Sequence, residues 1–300
     1  MERVASAALL ALVSMALAAP APAGTLDQIK QAGRIRLGYR ADARPFSFKD
    51  DTGNAAGYSA ALCLRVTDAI KADLGLASLG VEWVPVSAED RFRAVQQGQV
   101  DLLCGADTVT LSRRAEVAFS IPTFPGGIGA LLRVDAPARL REVLSGRRLP
   151  QGPAWRGSAG QLLQAQTFSV IGGTTAEKWL GQKLNDFQLT AQVVPVDSYD
   201  TGIRQLLDRK TNVFFGDRAI LLDAAARNPS AADLLVLDRL FSVEPLALGL
   251  ARADEDLRLA VDKALSRLYA SGEIGALYAK WFGEPTESTL SFFRSTALPE

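Results

Sequence analysis

The stretch "VEWVPVSAEDRFRAVQQGQVDLLCG", Val81 to Gly105, contains the unit from which the fold can be inferred. Its two ends, "VEWVPV" and "VDLLCG", are short apolar runs with the length and composition of buried strands. The polar segment around "AEDRFRAVQQG" predicts a short helix between them. A strand, a helix and a second strand in this order are typical of an α/β domain.

The same alternation extends upstream of this unit. In "RIRLGYR", Ile35, Leu37 and Tyr39 alternate as they would on one face of a strand. The next segment, "YSAALCLRVTDAIKADLG", has apolar residues at helical spacing. These residues are Leu62, Val66, Ala69 and Ile70. The order strand, helix, strand, helix, strand predicts a mainly parallel sheet flanked by helices.

A second alternating set follows downstream, in "FSVIGGTTAEKWLGQKL", "AQVVPVDSYDTGIRQLLDRK" and "NVFFGDRAILLDAAARN". A cluster of proline and glycine separates the two sets and marks a crossing point between two units. This cluster contains Pro122, Pro125, Gly126, Gly127 and Gly129. The segment 146–166, rich in Gly, Pro and Arg, is assigned no more closely than helix or loop.

Two amphipathic helices are predicted near the C-terminus, separated by Gly272. The first apolar stripe consists of Leu257, Val261, Ala264, Leu265 and Leu268. The second consists of Ile274, Leu277, Tyr278 and Trp281. Both stripes are interpreted as core-facing surfaces rather than as a cofactor-binding motif.

Residues 1–23 have the pattern of a signal peptide. Arg3 precedes a run of Ala, Leu and Val that ends in Ala21, Pro22 and Ala23, with cleavage expected before Gly24. The alternative, a membrane anchor, needs about 20 uninterrupted apolar residues, and the prolines break this run. The sequence therefore predicts export from the cytoplasm.

Cys63 and Cys104 are the two cysteines of the chain. An even number in an exported protein favours a disulfide between them. The alternative is a pair of buried thiols, because Cys63 lies in an apolar helical stretch and free cysteine is often buried.

The charge balance and the absence of histidine exclude several classes of function. Lys and Arg together number 33, as do Asp and Glu, so no broad field attracts nucleic acid or an anionic membrane. The chain contains no histidine, which removes the commonest general base and most zinc-ligand sets. We expect no catalytic residue, metal or cofactor.

Polar residues lie where several predicted strands end, the position at which open α/β sheets bind ligands. They are Arg40 after "RIRLGY", Thr108 and Arg113 after "VDLLCG", Thr174 and Thr175 in "GGTT", and Asp217 after "NVFFG". An arginine can bind a carboxylate through two bonds, the hydroxyls add donors, and an aspartate can accept an ammonium group. Together they are the partners of a zwitterion.

Four segments of the chain make it similar to a known family. They are "GYRADARPFSFKDDTGNAAGYSAALCLRV", "VPVSAEDRFRAVQQGQVDLLCGADTVTLSRRAEVAFSIP", "IGGTTAEKWL" and "DKALSRLYASGEIGALYAKWFG". The sequence resembles the periplasmic solute-binding proteins of polar amino acid ABC transporters, family 3, over nearly the whole mature chain. "GYR", the "CGADT" before Arg113 and "GGTT" resemble the glutamate/aspartate-binding branch most.

The resemblance implies the type II periplasmic binding protein fold, with two α/β lobes joined by two hinge crossings. Residues 24–123 and 243–300 would then form lobe 1, and 124–242 an inserted lobe 2.

The resemblance also implies roles for individual residues. Arg113 and Thr108 would bind the α-carboxylate of the ligand, and Asp217 its ammonium group. Thr174 and Thr175 match the loop of the second lobe. Arg40 and Arg91 are basic residues near the ligand side chain, and Phe46 follows a proline near the ligand.

Several positions depart from the family pattern. Ala106 and Ala88 stand where hydroxyl residues are common, and Asp107 stands where relatives that bind acidic ligands usually have threonine. Tyr199 occupies the place of a histidine that lies near the acidic side chain of the ligand in the family. These changes remove donors for a carboxylate and add a negative charge, which weakens an assignment to glutamate.

The function implied by the resemblance is capture of an amino acid, acidic in the most similar branch, or a related small carboxylate. A monomer would close over the ligand and deliver it to a membrane ABC permease. One alternative is an enzyme similar to periplasmic cyclohexadienyl dehydratases, with Asp107 or Glu177 as the acid. Another is a sensory ligand-binding module.

Overall fold

A computed structural model describes residues 24–146 and 156–299. The signal peptide expected at residues 1–23 and residues 147–155 of the Gly/Pro/Arg-rich segment 146–166 lie outside these residues. In chain order the strands are β1 Arg34–Tyr39, β2 Asp42–Ala43, β3 Ser47–Lys49, β4 Ala55–Ala56, β5 Gly80–Pro85, β6 Leu102–Thr108, β7 Ala118–Phe119, β8 Phe124–Gly126, β9 Ile128–Arg133, β10 Thr167–Ile171, β11 Gln192–Val196, β12 Val213–Asp217, β13 Leu234–Val236 and β14 Glu244–Leu250.

The helices alternate with these strands, as the sequence predicts. They are α1 Thr25–Ala32, α2 Tyr58–Asp73, α3 Arg91–Gln96, α4 Leu111–Arg114, α5 Ala138–Ser145, α6 Arg156–Gln164, α7 Thr175–Asp186, α8 Tyr199–Leu207, α9 Arg218–Arg227, α10 Glu255–Ala270, α11 Glu273–Phe282 and α12 Glu287–Thr296. A short 3-10 helix lies at Ala231–Asp233.

The first sheet has the strand order β5-β1-β6-β14-β7, and β8 also pairs with β14. β5, β1 and β6 are parallel, and β14 is antiparallel to β6, β7 and β8. Among the described strands of this sheet, β14 is therefore the one that runs in the opposite direction. A small separate sheet, β2-β3-β4, follows β1 in the chain.

The second sheet has the order β11-β10-β12-β9-β13. β11, β10 and β12 are parallel, whereas β9 is antiparallel to both of its neighbours. In each sheet, one of the described strands runs opposite to all the others. The prediction of two α/β lobes with mainly parallel sheets is therefore confirmed. Each lobe has buried apolar residues on its sheet, with Leu37 fully buried in the first and Val170 in the second.

The strand quoted as "VDLLCG" is longer than the sequence predicts. We expected it to end at Gly105, but β6 continues to Thr108. The reason is a long-range pairing, because Asp107 and Thr108 lie opposite Ala247 and Leu246 of β14. Polar residues thus extend the strand, since a distant segment of the chain supplies their backbone partners.

The chain passes from the first sheet to the second at Gly127, between β8 and β9. A Cβ atom at Gly127 would lie 2.2 Å from the carbonyl oxygen of Ser242 on the returning segment. Glycine is required there because the two crossing segments touch. The lobe limits of 123/124 and 242/243 stay a prediction, although the change of sheet occurs at Gly127.

Cys63 of α2 and Cys104 of β6 form a disulfide with a sulfur–sulfur distance of 2.04 Å. Both residues are fully buried, so the bridge fastens the longest helix of the first half to the centre of the first sheet. The even cysteine count thus predicted the bond correctly.

Both C-terminal helices predicted from apolar spacing are present as α10 and α11. The structure adds α12, whose Phe293 packs on Tyr269 and Tyr278. Tyr278 also packs against Phe282 and Phe124, in keeping with a structural role for these stripes. Within the described residues, no helix combines the length and apolar character needed to cross a membrane.

Candidate functional site

A cavity of about 40 Å³ lies between the two sheets, at the carboxyl ends of their parallel strands. This volume has room for about three water molecules, at roughly 10–15 Å³ each. The lining residues come from both lobes: Arg40, Arg91, Ala106, Thr108, Arg113, Gly127, Ile128, Ile171, Thr174, Thr175, Ala176, Tyr199, Gly216, Asp217, Ile220 and Glu244. Nine of the ten predicted ligand-binding residues thus lie together.

Phe46 is the predicted site residue that the structure places elsewhere. It is fully buried in an aromatic cluster, with its ring centroid 4.8 Å from that of Phe124 and 5.3 Å from that of Phe282. Phe46 therefore packs in the core of the first lobe, and it is not among the residues that line the cavity. Its place in the sequence next to a proline could not reveal which way the side chain points.

Arg113 offers a positive charge to the cavity. It lies in the short helix α4, where the Thr110 hydroxyl accepts a bond from its backbone N–H. Its Nη1 atom donates to the Thr108 carbonyl over 2.9 Å, which aims the guanidinium. Burial, and then the nearby Arg91, lower the pKa of Arg113 to about 10, so it stays charged at neutral pH. Asp107 and Glu244 lie near enough to act on its charge, but among the described residues no carboxylate is within ion-pair distance of it. A ligand carboxylate would supply that partner.

Asp217 lies at the end of β12 and caps the start of α9. Its Oδ1 atom accepts backbone bonds from Ala219 over 2.9 Å and Ile220 over 3.3 Å. Burial, with a smaller contribution from nearby Glu244, raises the pKa of Asp217 to about 7 against the two backbone bonds that lower it. A cationic group in the cavity would favour the ionised form and relieve this cost.

Glu244 is a site residue that the sequence reasoning missed. It begins β14 and lines the cavity, accepting bonds from the Thr175 hydroxyl over 2.6 Å and the Ser242 hydroxyl over 2.8 Å. The Thr175 bond links the start of α7 in the second lobe to the returning hinge segment. In the sequence, Glu244 is a single acidic residue before Pro245 at the start of a strand. Such a residue does not by itself indicate a binding site.

The two predicted threonines serve partly to hold the loop. The Thr174 hydroxyl donates to the Ile171 carbonyl over 2.6 Å and accepts from the Glu177 N–H, as an N-cap does. The Thr175 hydroxyl is bound to Glu244. The donors that α7 still offers to the cavity are backbone N–H groups of its first turn, which have no partner within the helix.

Arg91 and Asp107 form a buried ion pair beside the cavity. Their Nε and Oδ1 atoms are 2.6 Å apart, and the two residues are 3% and 1% exposed. The Nη1 atom of Arg91 is buried without a hydrogen-bond partner in the described part of the chain. Burial, opposed by Asp107, lowers the pKa of Arg91.

Arg40 is also paired, with Asp42 two residues further along the chain. Its Nη2 atom lies 2.7 Å from both carboxylate oxygens of Asp42, and its Nε atom 2.9 Å from one of them. The arginine itself is 7% exposed. Each of the two arginines expected to bind a ligand side chain thus has a carboxylate of the protein as its partner.

Tyr199 and Ala106 complete the wall. Tyr199 begins α8 and packs on Phe214, and burial raises the pKa of its hydroxyl well above the usual range. Ala106 brings no donor to the cavity. No group of three or more Cys, Asp or Glu side chains in the described ranges is placed to hold a metal ion.

Two α/β lobes, two crossings and a charged cavity between the sheets define a type II binding protein for small solutes. The sequence model of the bacterial extracellular solute-binding proteins, family 3, matches residues 35–284. The chain belongs to this family.

Curated relatives are similar over most of their length. The L-glutamate/L-aspartate-binding protein of Pseudomonas aeruginosa is 30% identical over 280 residues, covering 92% of this chain and 86% of the relative. A glutamate/aspartate import solute-binding protein of Escherichia coli strain K12 is 24% identical over 268 residues, 89% of this chain and 82% of the relative. Both relatives are binding proteins by name, and their family supports a substrate-binding role in ABC import.

Solved structures show the same fold. A cysteine-binding protein from Campylobacter jejuni has a TM-score of 0.72 at 20% identity, over 90% of this chain and 98% of that one. An ancestral amino acid-binding protein titled as a precursor of cyclohexadienyl dehydratase has a TM-score of 0.69 at 24% identity, over 87% and 100%.

Proposed function

We propose that this protein captures an α-amino acid between its lobes outside the cytoplasm and, as a monomer, delivers it to an ABC permease. The observation that carries the proposal is the pairing of charges in the cavity. Arg113 lacks an ionic partner among the described residues, and the acids Asp217 and Glu244 line the same cavity. An α-carboxylate on Arg113 and an ammonium group between the two acids satisfy both signs of charge.

Contacts across the cavity support capture by enclosure. A Cβ atom added to Gly173 of the second lobe would lie 3.3 Å from the Glu89 side chain of the first. Arg44 and Asp223 meet across the lobes, with 3.4 Å between Nε and Oδ1. A ligand held under such contacts is shielded from water, which strengthens its ionic bonds to the protein.

Isothermal titration calorimetry against the twenty amino acids tests the proposal, using protein that has been unfolded and refolded to remove bound solute. Arg113→Ala should weaken binding by at least about 100-fold, because two bonds to a charged group contribute roughly 1.5–3 kcal/mol each. Arg114→Ala is the matched control, since Arg114 is the exposed neighbour on the same helix. Equal affinities for the two variants would contradict the assigned role.

An enzymatic role has weaker support from the geometry. Asp107 is held in the ion pair with Arg91. Glu177 accepts a bond from the Gly173 N–H over 2.9 Å and is not among the lining residues. Neither acid is therefore placed to protonate a leaving group in the cavity. We expect no new ultraviolet absorbance when the protein is incubated with prephenate or arogenate.

A further inference from the structure

Resting on the amino-acid binding proposed above, we propose that Asp107 and Asp42 make the site selective for an uncharged polar side chain. The class of ligand is an α-amino acid whose side chain carries a hydroxyl or a carboxamide. Glutamate and aspartate are discriminated against, although relatives that bind them by name are similar to this chain over most of its length.

The first reason is the state of Arg91. A ligand carboxylate would find this guanidinium already neutralised by Asp107 at 2.6 Å, in surroundings where both residues are almost fully buried. A second carboxylate would be held beside the first, and like charges at short range in a dry site repel strongly. The electrostatic gain that a free arginine offers an acidic side chain is therefore absent.

The second reason is that Arg91 still has a donor to give. Its Nη1 atom is buried and without a partner in the described residues, which is costly unless an acceptor arrives. A neutral oxygen, such as a hydroxyl or an amide carbonyl, satisfies this N–H without adding charge. Because Arg91 is among the lining residues of the cavity, a ligand side chain that can accept this bond is favoured over an aliphatic one.

Arg40 repeats the arrangement on an adjoining part of the wall. Asp42 binds it through both carboxylate oxygens, so this second arginine is also compensated. A lysine or arginine ligand gains nothing here either, because Asp42 and Asp107 are already paired with the two arginines and leave no free negative charge on this part of the wall. Both charged classes of side chain are disfavoured by the same pair of ion pairs.

Arg113 is the one positive charge that stays free among the described lining residues, and the α-carboxylate of a ligand matches it. Arg113 takes the carboxylate, and Asp217 with Glu244 takes the ammonium group. No uncompensated positive charge among the described lining residues is left for a side-chain carboxylate.

Two isosteric pairs provide the test, because glutamine and glutamate, or asparagine and aspartate, differ in charge at nearly constant size. Calorimetry on the wild-type protein should show the tightest binding among serine, threonine, asparagine and glutamine. Each amide should bind at least about 10-fold more tightly than its acid, the effect of one ionic hydrogen bond. Tightest binding of an acidic, basic or apolar amino acid would overturn the inference.

Asp107→Asn identifies the residue responsible. Asparagine keeps an oxygen for Arg91 Nε but removes the negative charge, so the affinity for glutamate relative to glutamine should rise by at least about 10-fold. Asp101→Asn is the matched control. Asp101 is a buried aspartate directly before β6, paired with Arg36 of β1 over 2.6 Å and outside the cavity lining.

Equal selectivity in the Asp107 and Asp101 variants would show that Asp107 does not set the preference. Should Asp107→Asn fail to fold, as judged by circular dichroism, Asp42→Asn replaces it, because that carboxylate is only half-buried. If none of the twenty amino acids binds any variant, the proposed function itself fails. If glutamate binds wild type most tightly, only the selectivity is wrong.

Discussion

Replacing Asp217 by asparagine should stabilise the ligand-free protein at pH 8 while weakening its binding of an amino acid. The carboxyl of Asp217 has a pKa of about 7 in the fold, against 3.8 for an ordinary aspartate, because burial disfavours its charged form. Asparagine has nearly the same shape and is an equally good N-cap, so the bonds from Ala219 and Ile220 are kept. The substitution mainly removes the charge.

The sign and size of the effect follow from linkage. A group whose pKa is raised by folding contributes stability that is complete below its unfolded pKa and is lost as the pH rises to its folded pKa. The window here runs from pH 3.8 to about 7. Between pH 5 and pH 8 the wild type should lose up to about 3 kcal/mol relative to the asparagine variant, from two pH units at 1.36 kcal/mol each.

Urea denaturation of both proteins at pH 5 and pH 8, without ligand, measures this difference. Asp254→Asn is the matched control, because Asp254 caps α10 through a bond to Leu257 and lies outside the cavity. Its stability relative to wild type should change much less between the two pH values. Calorimetry on the same samples should show ligand binding weakened roughly 10- to 100-fold in Asp217→Asn and unchanged in Asp254→Asn. If wild type and Asp217→Asn keep a constant stability difference from pH 5 to pH 8, the reasoning about the buried charge is refuted.

Two further predictions concern the scaffold. Replacing both Cys63 and Cys104 by alanine should lower the free energy of unfolding by about 4 kcal/mol, because the bridge closes a loop of 41 residues, and reducing the wild type should have a similar effect in urea denaturation. An unchanged denaturation midpoint would show that the bridge does not stabilise the fold. Gly127→Ala should destabilise the protein by about 1–3 kcal/mol or more, since its Cβ would meet the Ser242 carbonyl at 2.2 Å. Gly181→Ala is the control, because nothing lies within 4 Å of a Cβ atom at Gly181 and alanine favours the helix by about 1 kcal/mol. Equal losses of thermal stability in the two variants would contradict the steric explanation.

The alternation of elements was accessible from the sequence because it depends on local pattern. Apolar residues at a period of two or of about 3.6 predicted β1, α2, β5, α3, α10 and α11 within a few residues. The extension of β6 to Thr108 could not be predicted in this way. It depends on pairing with β14, nearly 140 residues away in the chain.

The candidate site also contains residues that local sequence pattern could predict and residues that it could not. Arg113 and Asp217 were predicted as site residues because each follows a strand, and strand ends of an α/β sheet converge. Both line the cavity. Glu244 was missed because it starts a strand and reaches the cavity through the hinge. Phe46 was misplaced because the direction of a side chain after a proline depends on the aromatic rings packed around it.

By itself the sequence determined the order of strands and helices, the crossing rich in glycine and proline, and which charged residues could reach one edge of each sheet. These are properties of neighbouring residues and their spacing. Only the tertiary structure decided which charges are free, since Arg91 is compensated by Asp107 and Arg40 by Asp42 whereas Arg113 has no such partner in the described chain. The pKa of Asp217 was likewise decided by folding. The physical reason is that burial and the distance between charges arise when separate segments pack together, and those two quantities set the strength of every electrostatic interaction in the cavity.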